Sequence, residues 1–401
     1  YVGKPIICTN PCAEVPLEDG GACNLGSINL SRFVKDGFTP EASIDWDQLA
    51  ESSETLVRFL DNVVTWNEDL NALPKQRQAA SETRRLGLGV MGIADMLNQL
   101  GVAYDSEQGT MMIEKVMEYI TNASYQASSF IAKEKGASSI FDEEAYMECP
   151  FVKEALSEQT HNMIRKNGLR NIAIMSIAPT GSISNIVLGY RSEEKNYIGV
   201  SGGVEPIFST FYTRRSESFG NKMFKVFHST IQAYIDKMGI QEDVDKAEDV
   251  DEVLPEFLTR TAHKIDSVKR VGVQGVIQRY IDHSISSTIN LPEDVNPETI
   301  SDIYIKAWKN KLKGVTIYRD GSRFPILSVE NKMTEFQEMK NKSFSIMQEN
   351  GETIEMAGDD IFKRPDGKLT TMYHHLKTMK TESEDESTTT ETVATTEEMK
   401  V

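Results

Sequence analysis

Asn171-Ile172-Ala173-Ile174-Met175-Ser176-Ile177-Ala178 runs straight into Pro179-Thr180-Gly181-Ser182-Ile183-Ser184. Ile172, Ile174 and Ile177 make the first stretch a compact strand, and the Pro, Gly and Ser residues end it. Two readings of the turn stay open. It is either an ordinary strand-to-helix connection or an anion site, in which backbone N–H groups and hydroxyls converge on a phosphate.

Working outward, strands alternate with helices. Further strands are predicted at 27–30, 86–90, 285–290 and 314–318. Helices are predicted at 46–66, 93–100, 107–135, 152–166, 219–238, 251–265, 271–281 and 297–312, with Gly101 as a helix stop. Such alternation predicts an α/β fold with parallel strands. After Arg323 the pattern weakens. Residues 324–380 read as a mixed extension. Residues 381–401 are Thr, Glu and Ser with almost no apolar content, and they are expected to be a disordered acidic tail.

The chain has 401 residues, of which 39% are hydrophobic, enough for a sizeable core. Its formal net charge of −18 argues against a general nucleic-acid binder, which needs a basic surface. Apolar runs are short and interrupted by charge, so no membrane partner is expected. Four cysteines, Cys8, Cys12, Cys23 and Cys149, are too few for a disulfide scaffold at this length. No His lies near the first three, so no metal site is expected. A cytoplasmic setting with cysteine used for chemistry follows. The first residue is Tyr1. A fragment, a split-gene product or a processed product is expected.

The chemistry is concentrated in Cys8-Thr9-Asn10-Pro11-Cys12-Ala13-Glu14-Val15-Pro16-Leu17. If this segment is extended, Asn10, Cys12 and Glu14 share one face. A carboxylate can take a proton from a hydroxyl, an amide can hold that hydroxyl, and a thiol can donate a hydrogen atom. The plainer alternative is a loop with a buried Cys and an exposed Glu.

Gly21-Ala22-Cys23-Asn24-Leu25-Gly26-Ser27-Ile28-Asn29-Leu30 follows at once. Together the two segments resemble the active-site region of ribonucleotide reductase large subunits. Arg85-Leu86-Gly87-Leu88-Gly89-Val90-Met91-Gly92, residues 178–184, Gly202-Gly203-Val204-Glu205-Pro206-Ile207-Phe208 and residues 314–323 resemble the same family, in the same order. The resemblance covers residues 5–323 and implies the C-terminal part of a ten-stranded α/β barrel around a central finger loop.

It also implies roles. Cys12 matches the radical cysteine, Glu14 the base for the 3′-hydroxyl, and Asn10 the amide that orients the ribose. Cys23 matches one member of the redox-active pair. Pro179, Thr180, Gly181, Ser182, Ile183 and Ser184 match the substrate phosphate site. The implied activity is reduction of ribonucleoside di- or triphosphates to deoxyribonucleotides. Thr316-Ile317-Tyr318-Arg319 holds a single Tyr, where members fed by a separate radical subunit carry two. That is similar to the adenosylcobalamin-dependent class. The alternatives are the class that uses a separate di-metal subunit, and a non-catalytic remnant that only binds a partner. The implied partners are the N-terminal half of the enzyme, a thioredoxin-like reductant and a second copy in a homodimer. No residue here fills the place of the partner of Cys23. Cys8 and Cys149 are read as structural thiols.

Overall fold

The computed structural model describes residues 4–216, 222–322, 335–347, 353–364 and 366–386. The chain divides into two compact units. One comprises Tyr1–Ile289 with Lys306–Thr316, the other Asn290–Ile305 with Ile317–Val401.

The first unit is organised on parallel extended segments. Strand Asn24–Asn29 pairs in parallel with strand Leu86–Met91, from Asn24 opposite Leu86 to Asn29 opposite Met91. Helices Trp46–Asn67 and Pro74–Thr83 make the crossover that a parallel pair requires. The first of them is capped by Asp45, whose carboxylate accepts from the Gln48 N–H, and it buries Leu49, Val57, Leu60 and Val64. Helix Pro74–Thr83 carried no apolar periodicity and was not expected. Every residue of strand Leu86–Met91 is buried, as in a sheet covered on both faces. Gly89 is required there, because a Cβ would lie 2.3 Å from the Ser176 carbonyl oxygen.

Residues 173–178 lie next along this array, but not as the continuous strand expected at 171–178. They meet their neighbours at single bridges, Leu88 with Met175 and Ile177 with Ile285, both parallel. The cause is Asp282. Its carboxylate accepts from the N–H groups of Ile174 and Met175 at 2.7 and 2.8 Å, in place of a backbone partner. Among the described residues the array does not close on itself, and the α/β character is what the structure bears out.

Helix Glu107–Lys135 falls where expected, and Gly101 takes a left-handed φ of 72° at the end of helix Ile93–Gln99. Other expectations need correction. The helix expected at 152–166 is two, Pro150–Ala155 and Glu158–Asn167, because Ser157 starts the second by accepting from the Thr160 N–H. The helix expected at 219–238 begins only at Ser229, after an antiparallel pair Phe211–Ser216 and Lys222–Phe227 rich in aromatic residues. Pro255 breaks the one expected at 251–265, leaving the short helix Glu256–Thr259. The helix expected at 271–281 runs Ser267–Gln278, capped by Asp266.

The second unit contains two antiparallel hairpins, Ser343–Met347 with Thr353–Ala357 and Ile361–Lys363 with Leu369–Thr371. Phe336 packs edge-on against Tyr373, both buried, with ring centroids 5.2 Å apart. Helix Met372–Glu386 carries residues 381–386 of the expected tail as helical backbone, and residues 387–401 lie outside the described residues. No described helix is long and apolar enough to cross a membrane.

Candidate active site

The segment 8–17 is a hairpin rather than a single extended strand. Cys8 and Thr9 pair antiparallel with Leu17 and Pro16. The Asn10 N–H donates to the Val15 carbonyl at 3.2 Å, and the Val15 N–H donates to the Asn10 side-chain oxygen at 3.0 Å. Pro11 sets a turn-compatible φ, and Ala13 is left-handed at φ 62°. Strand alternation therefore fails at the tip, which corrects the expectation that Asn10, Cys12 and Glu14 share a strand face.

The tip nonetheless separates their chemistry usefully. Cys12 is exposed at the apex. Glu14 is 1% exposed, and its Oε2 has no hydrogen-bond partner. This is the reverse of a loop with a buried Cys and an exposed Glu. Two bonds seat the tip on the parallel array: the Ser176 hydroxyl and the Ser284 N–H both donate to the Glu14 carbonyl at 2.9 Å. Asn10 spends its carbonyl oxygen on the turn, which leaves the amide NH2 as the group able to hold a ligand oxygen.

Cys23 stands half-buried just before strand Asn24–Asn29. Burial pushes its thiol up to about 12, Arg85 opposes this, and the carboxylates of Asp282, Glu14 and Glu18 reinforce it. Arg85 donates to Glu18 Oε2 at 2.6 Å and meets His283 Nε2 at 2.9 Å. A guanidinium only donates, so Nε2 is the acceptor and the ring is neutral, with its proton on Nδ1. Burial drives the His283 pKa down to about 4; Asp282 opposes this, while Arg85 and Lys313 add to it. Sequence patterning does not single out Glu18, Asp282 or His283, and it gives Arg85 no role. The available signal was an Asp-His pair at the mouth of a predicted strand.

Cys8 is exposed on the hairpin, its thiol 3.8 Å from the Leu17 carbonyl. Cys149 is half-buried at a helix start, and burial raises its pKa. All four cysteines are free, and no described cluster of His, Cys, Asp or Glu has the makings of a metal site.

The 179–184 loop is a separate feature of the same array. Thr180 is left-handed at φ 53°, and its hydroxyl oxygen accepts from the Gly203 N–H at 2.8 Å. Ser184 N–H returns to the Thr180 carbonyl at 2.9 Å, closing a short 3-10 turn at Ile183–Asn185. Gly181, Ser182 and Ile183 are exposed, and a Cβ on Gly181 would meet open space. Their N–H groups serve no hydrogen bond among the described residues, so they are available to an anion. Pro179 supplies no N–H and shapes the entry. Gly202 backs the loop so closely that a Cβ would lie 2.7 Å from the Pro179 carbonyl oxygen. Glu205 in the same stretch accepts from the Thr288 N–H at 2.8 Å and from Arg270 at 2.9 Å.

A family profile described as "Ribonucleotide reductase, barrel domain" matches residues 2–318. The chain belongs to this ribonucleotide reductase family. The finger hairpin, Cys23 and the 179–184 loop all lie inside the matched barrel-domain region. Among curated ribonucleotide reductases, a vitamin B12-dependent ribonucleoside-diphosphate reductase of Mycobacterium tuberculosis (strain CDC 1551 / Oshkosh) is 33% identical over 332 residues, covering 79% of this chain and 42% of the relative. One of the same name from Thermoplasma acidophilum is 34% identical over 330 residues, covering 79% and 38%. The chain thus spans about two fifths of the length of these relatives. A solved structure, the Actinobacillus ureae class Id ribonucleotide reductase alpha subunit, shares the fold with a TM-score of 0.58 at 23% identity, over 79% of this chain and 54% of that one.

Proposed function

We propose that this chain is the C-terminal catalytic part of an adenosylcobalamin-dependent ribonucleotide reductase that acts on ribonucleoside diphosphates. The observation that carries the reading is the finger tip. It holds an exposed thiol, Cys12, two residues before a buried carboxylate, Glu14, with an unpaired oxygen. In this reading the barrel has ten strands when complete and ends near residue 323. The extension 324–380 and the tail 381–401 follow it.

The residues divide the work as follows. The 179–184 loop holds the substrate phosphates through its free N–H groups and hydroxyls. The Asn10 amide donates to a ribose hydroxyl. A thiyl radical at Cys12 takes the 3′ hydrogen, and Glu14 takes the 3′-hydroxyl proton. The 2′-hydroxyl leaves as water. Cys23 and a second thiol supply two electrons and two hydrogens and close a disulfide. The hydrogen held at Cys12 returns to C3′. The second thiol comes from the N-terminal half of the enzyme, and a thioredoxin-like dithiol reopens the disulfide.

Adenosylcobalamin, when bound, supplies the radical that oxidises the finger cysteine. Cys12 at the hairpin apex is the thiol such a group would oxidise, and the names of the two relatives support the assignment. A homodimer of the complete enzyme, in the cytoplasm and free of membrane and nucleic acid, completes the proposal. The test is reconstitution with an N-terminal half, a ribonucleoside diphosphate, a dithiol and adenosylcobalamin. Deoxynucleotide formation that Cys12→Ser abolishes supports the reading. Turnover that ignores the cofactor but requires a di-metal radical subunit assigns the chain to the other class. Turnover unchanged in Cys12→Ser removes the finger cysteine from the mechanism.

A further inference from the structure

Asn24 stands opposite Leu86 in the parallel ladder. Cys23 and Arg85 precede these two residues, so they are neighbours across the strands and on one face. Gly87 lies on that face two residues beyond Arg85. A Cβ there would sit 2.9 Å from the Cys23 sulfur. Leu25 Cδ2 lies closer still, at 2.4 Å, so the thiol and the Leu25 side chain share the room that a side chain at position 87 would fill.

Arg85 is pinned on both sides, by Glu18 at 2.6 Å and by His283 at 2.9 Å. Glu18 and His283 are 3% and 2% exposed. One guanidinium charge thus meets one carboxylate and one neutral ring. Arg85 Nε, Glu18 Oε1 and His283 Nδ1 are buried without a hydrogen-bond partner.

We infer that Arg85 is a positioning residue for Cys23: its guanidinium, pinned by Glu18 and by neutral His283, stabilises the Cys23 thiolate. This rests on the reading of Cys23 as a reductant. The thiolate matters when the active-site disulfide is reopened. A thiolate of the external dithiol attacks the partner sulfur, the S–S bond breaks, and Cys23 leaves carrying the electron pair. The mixed disulfide then resolves as the dithiol becomes a disulfide, and the two active-site sulfurs end as thiols with protons from solvent. Without Arg85, Cys23 would be a half-buried leaving group facing Asp282, Glu14 and Glu18, all of which disfavour its anion. Glu18 plays the opposite part: it holds Arg85 in place and offsets some of its charge.

The experiment uses the full chain with Cys8, Cys12 and Cys149 replaced by Ser, so that Cys23 is the one thiol. Its alkylation by iodoacetamide, a neutral reagent that reacts with the thiolate, is timed between pH 7.5 and 10. Arg85→Met is expected to slow it by about fivefold or more, since one pKa unit is a factor of about ten in thiolate population. Arg85→Lys keeps the charge and is expected within about twofold of the parent, a margin of about 0.3 pKa unit. Glu18→Gln is nearly isosteric and is expected to speed the reaction about threefold, or half a pKa unit. Loosened packing would speed both Arg85→Met and Glu18→Gln, so opposite directions are the signature. A folded Arg85→Met that reacts as fast as the parent overturns the inference. If Arg85→Met does not fold, Arg85→Gln takes its place, and a folded Arg85→Gln that reacts as fast as the parent or faster overturns the inference. No nucleotide, cofactor or second chain is involved, so failure here is distinct from failure of the proposed activity.

Discussion

The Ser284 amide donates to the Glu14 carbonyl at 2.9 Å, and the Ser176 hydroxyl donates to the same oxygen at 2.9 Å. Two neighbouring parallel segments thus grip one atom of the finger tip. The tip's place does not depend on its own side chains alone. Ser176→Ala removes one of these bonds and is expected to cost about 1 kcal/mol. The amide exchange of Ala13 and Val15 should quicken more than that of Leu86–Met91, which mass spectrometry of exchanged peptides can read.

Asn10 offers a second handle on the tip. Asn10→Ala loses the acceptor for the Val15 N–H, whereas Asn10→Asp keeps it. Alanine is expected to lower stability by about 1 kcal/mol and aspartate by less, measured by thermal melting. Both replace the amide NH2, so in the reconstituted enzyme both should lose turnover. A variant that keeps the fold but not the activity would separate the turn-forming role from the ligand-holding role.

Two glycines should respond in opposite ways. A Cβ on Gly89 would meet the Ser176 carbonyl oxygen at 2.3 Å, and that oxygen is backbone in a packed array. Gly89→Ala is expected to cost about 3 kcal/mol or more, at or beyond the upper end for overpacking. A Cβ on Gly181 meets nothing. Gly181→Ala should leave the melting temperature within a degree or two of the parent, a change of about 0.5 kcal/mol at most. Any effect it has should fall on KM for the nucleotide.

Local patterning made part of this legible. Leu86–Met91 is apolar throughout and lies in an interior array, and the stripe over Glu107–Lys135 gives its helix without ambiguity. Where a distant side chain intervenes, local reading fails. Asp282 takes the amides of Ile174 and Met175, so a segment with strand composition is paired only at isolated points. The strand Lys222–Phe227 was hidden because Phe224 and Phe227, three residues apart, also fit a helix stripe. At the site, residue types were readable but geometry was not. The left-handed Ala13 breaks the alternation that placed Asn10, Cys12 and Glu14 together. Glu18, Arg85 and His283 come from three separate elements, and no spacing rule joins them.

The neutral His283 makes stability depend on pH. Burial holds its folded pKa at about 4, against 6.5 for a free imidazole. Between those values the unfolded chain binds a proton that the folded chain does not. Stability is therefore fully retained above pH 6.5 and falls as pH drops toward 4, by about 3 kcal/mol in all. Gln in place of His283 can still accept from Arg85 and does not titrate. Denaturant unfolding of the parent and His283→Gln at several pH values should give a difference that shrinks as pH falls through this window. A constant difference would mean that His283 is not the group responsible.

Asp61 supplies the last test. Its carboxylate is wholly buried and accepts from Arg84 Nε at 2.8 Å and from the Asn171 amide at 3.0 Å, while Arg84 also donates to the Asp61 carbonyl at 2.8 Å. Arg84 is 3% exposed, left-handed at φ 47°, and directly precedes Arg85 and strand Leu86–Met91. Asp61→Asn strands a buried guanidinium with only Glu68 as its carboxylate partner. Removing one side of a buried pair costs about 3–5 kcal/mol. Because Arg84 leads through Arg85 into the strand that carries Gly87, the loss should reach Cys23. Asp61→Asn is therefore expected to lower the melting temperature and also to speed alkylation of Cys23 as the strand's first turn loosens. A large drop in stability with Cys23 reactivity unchanged would show that the Asp61 network supports the helices alone and leaves the thiol's surroundings to the finger hairpin.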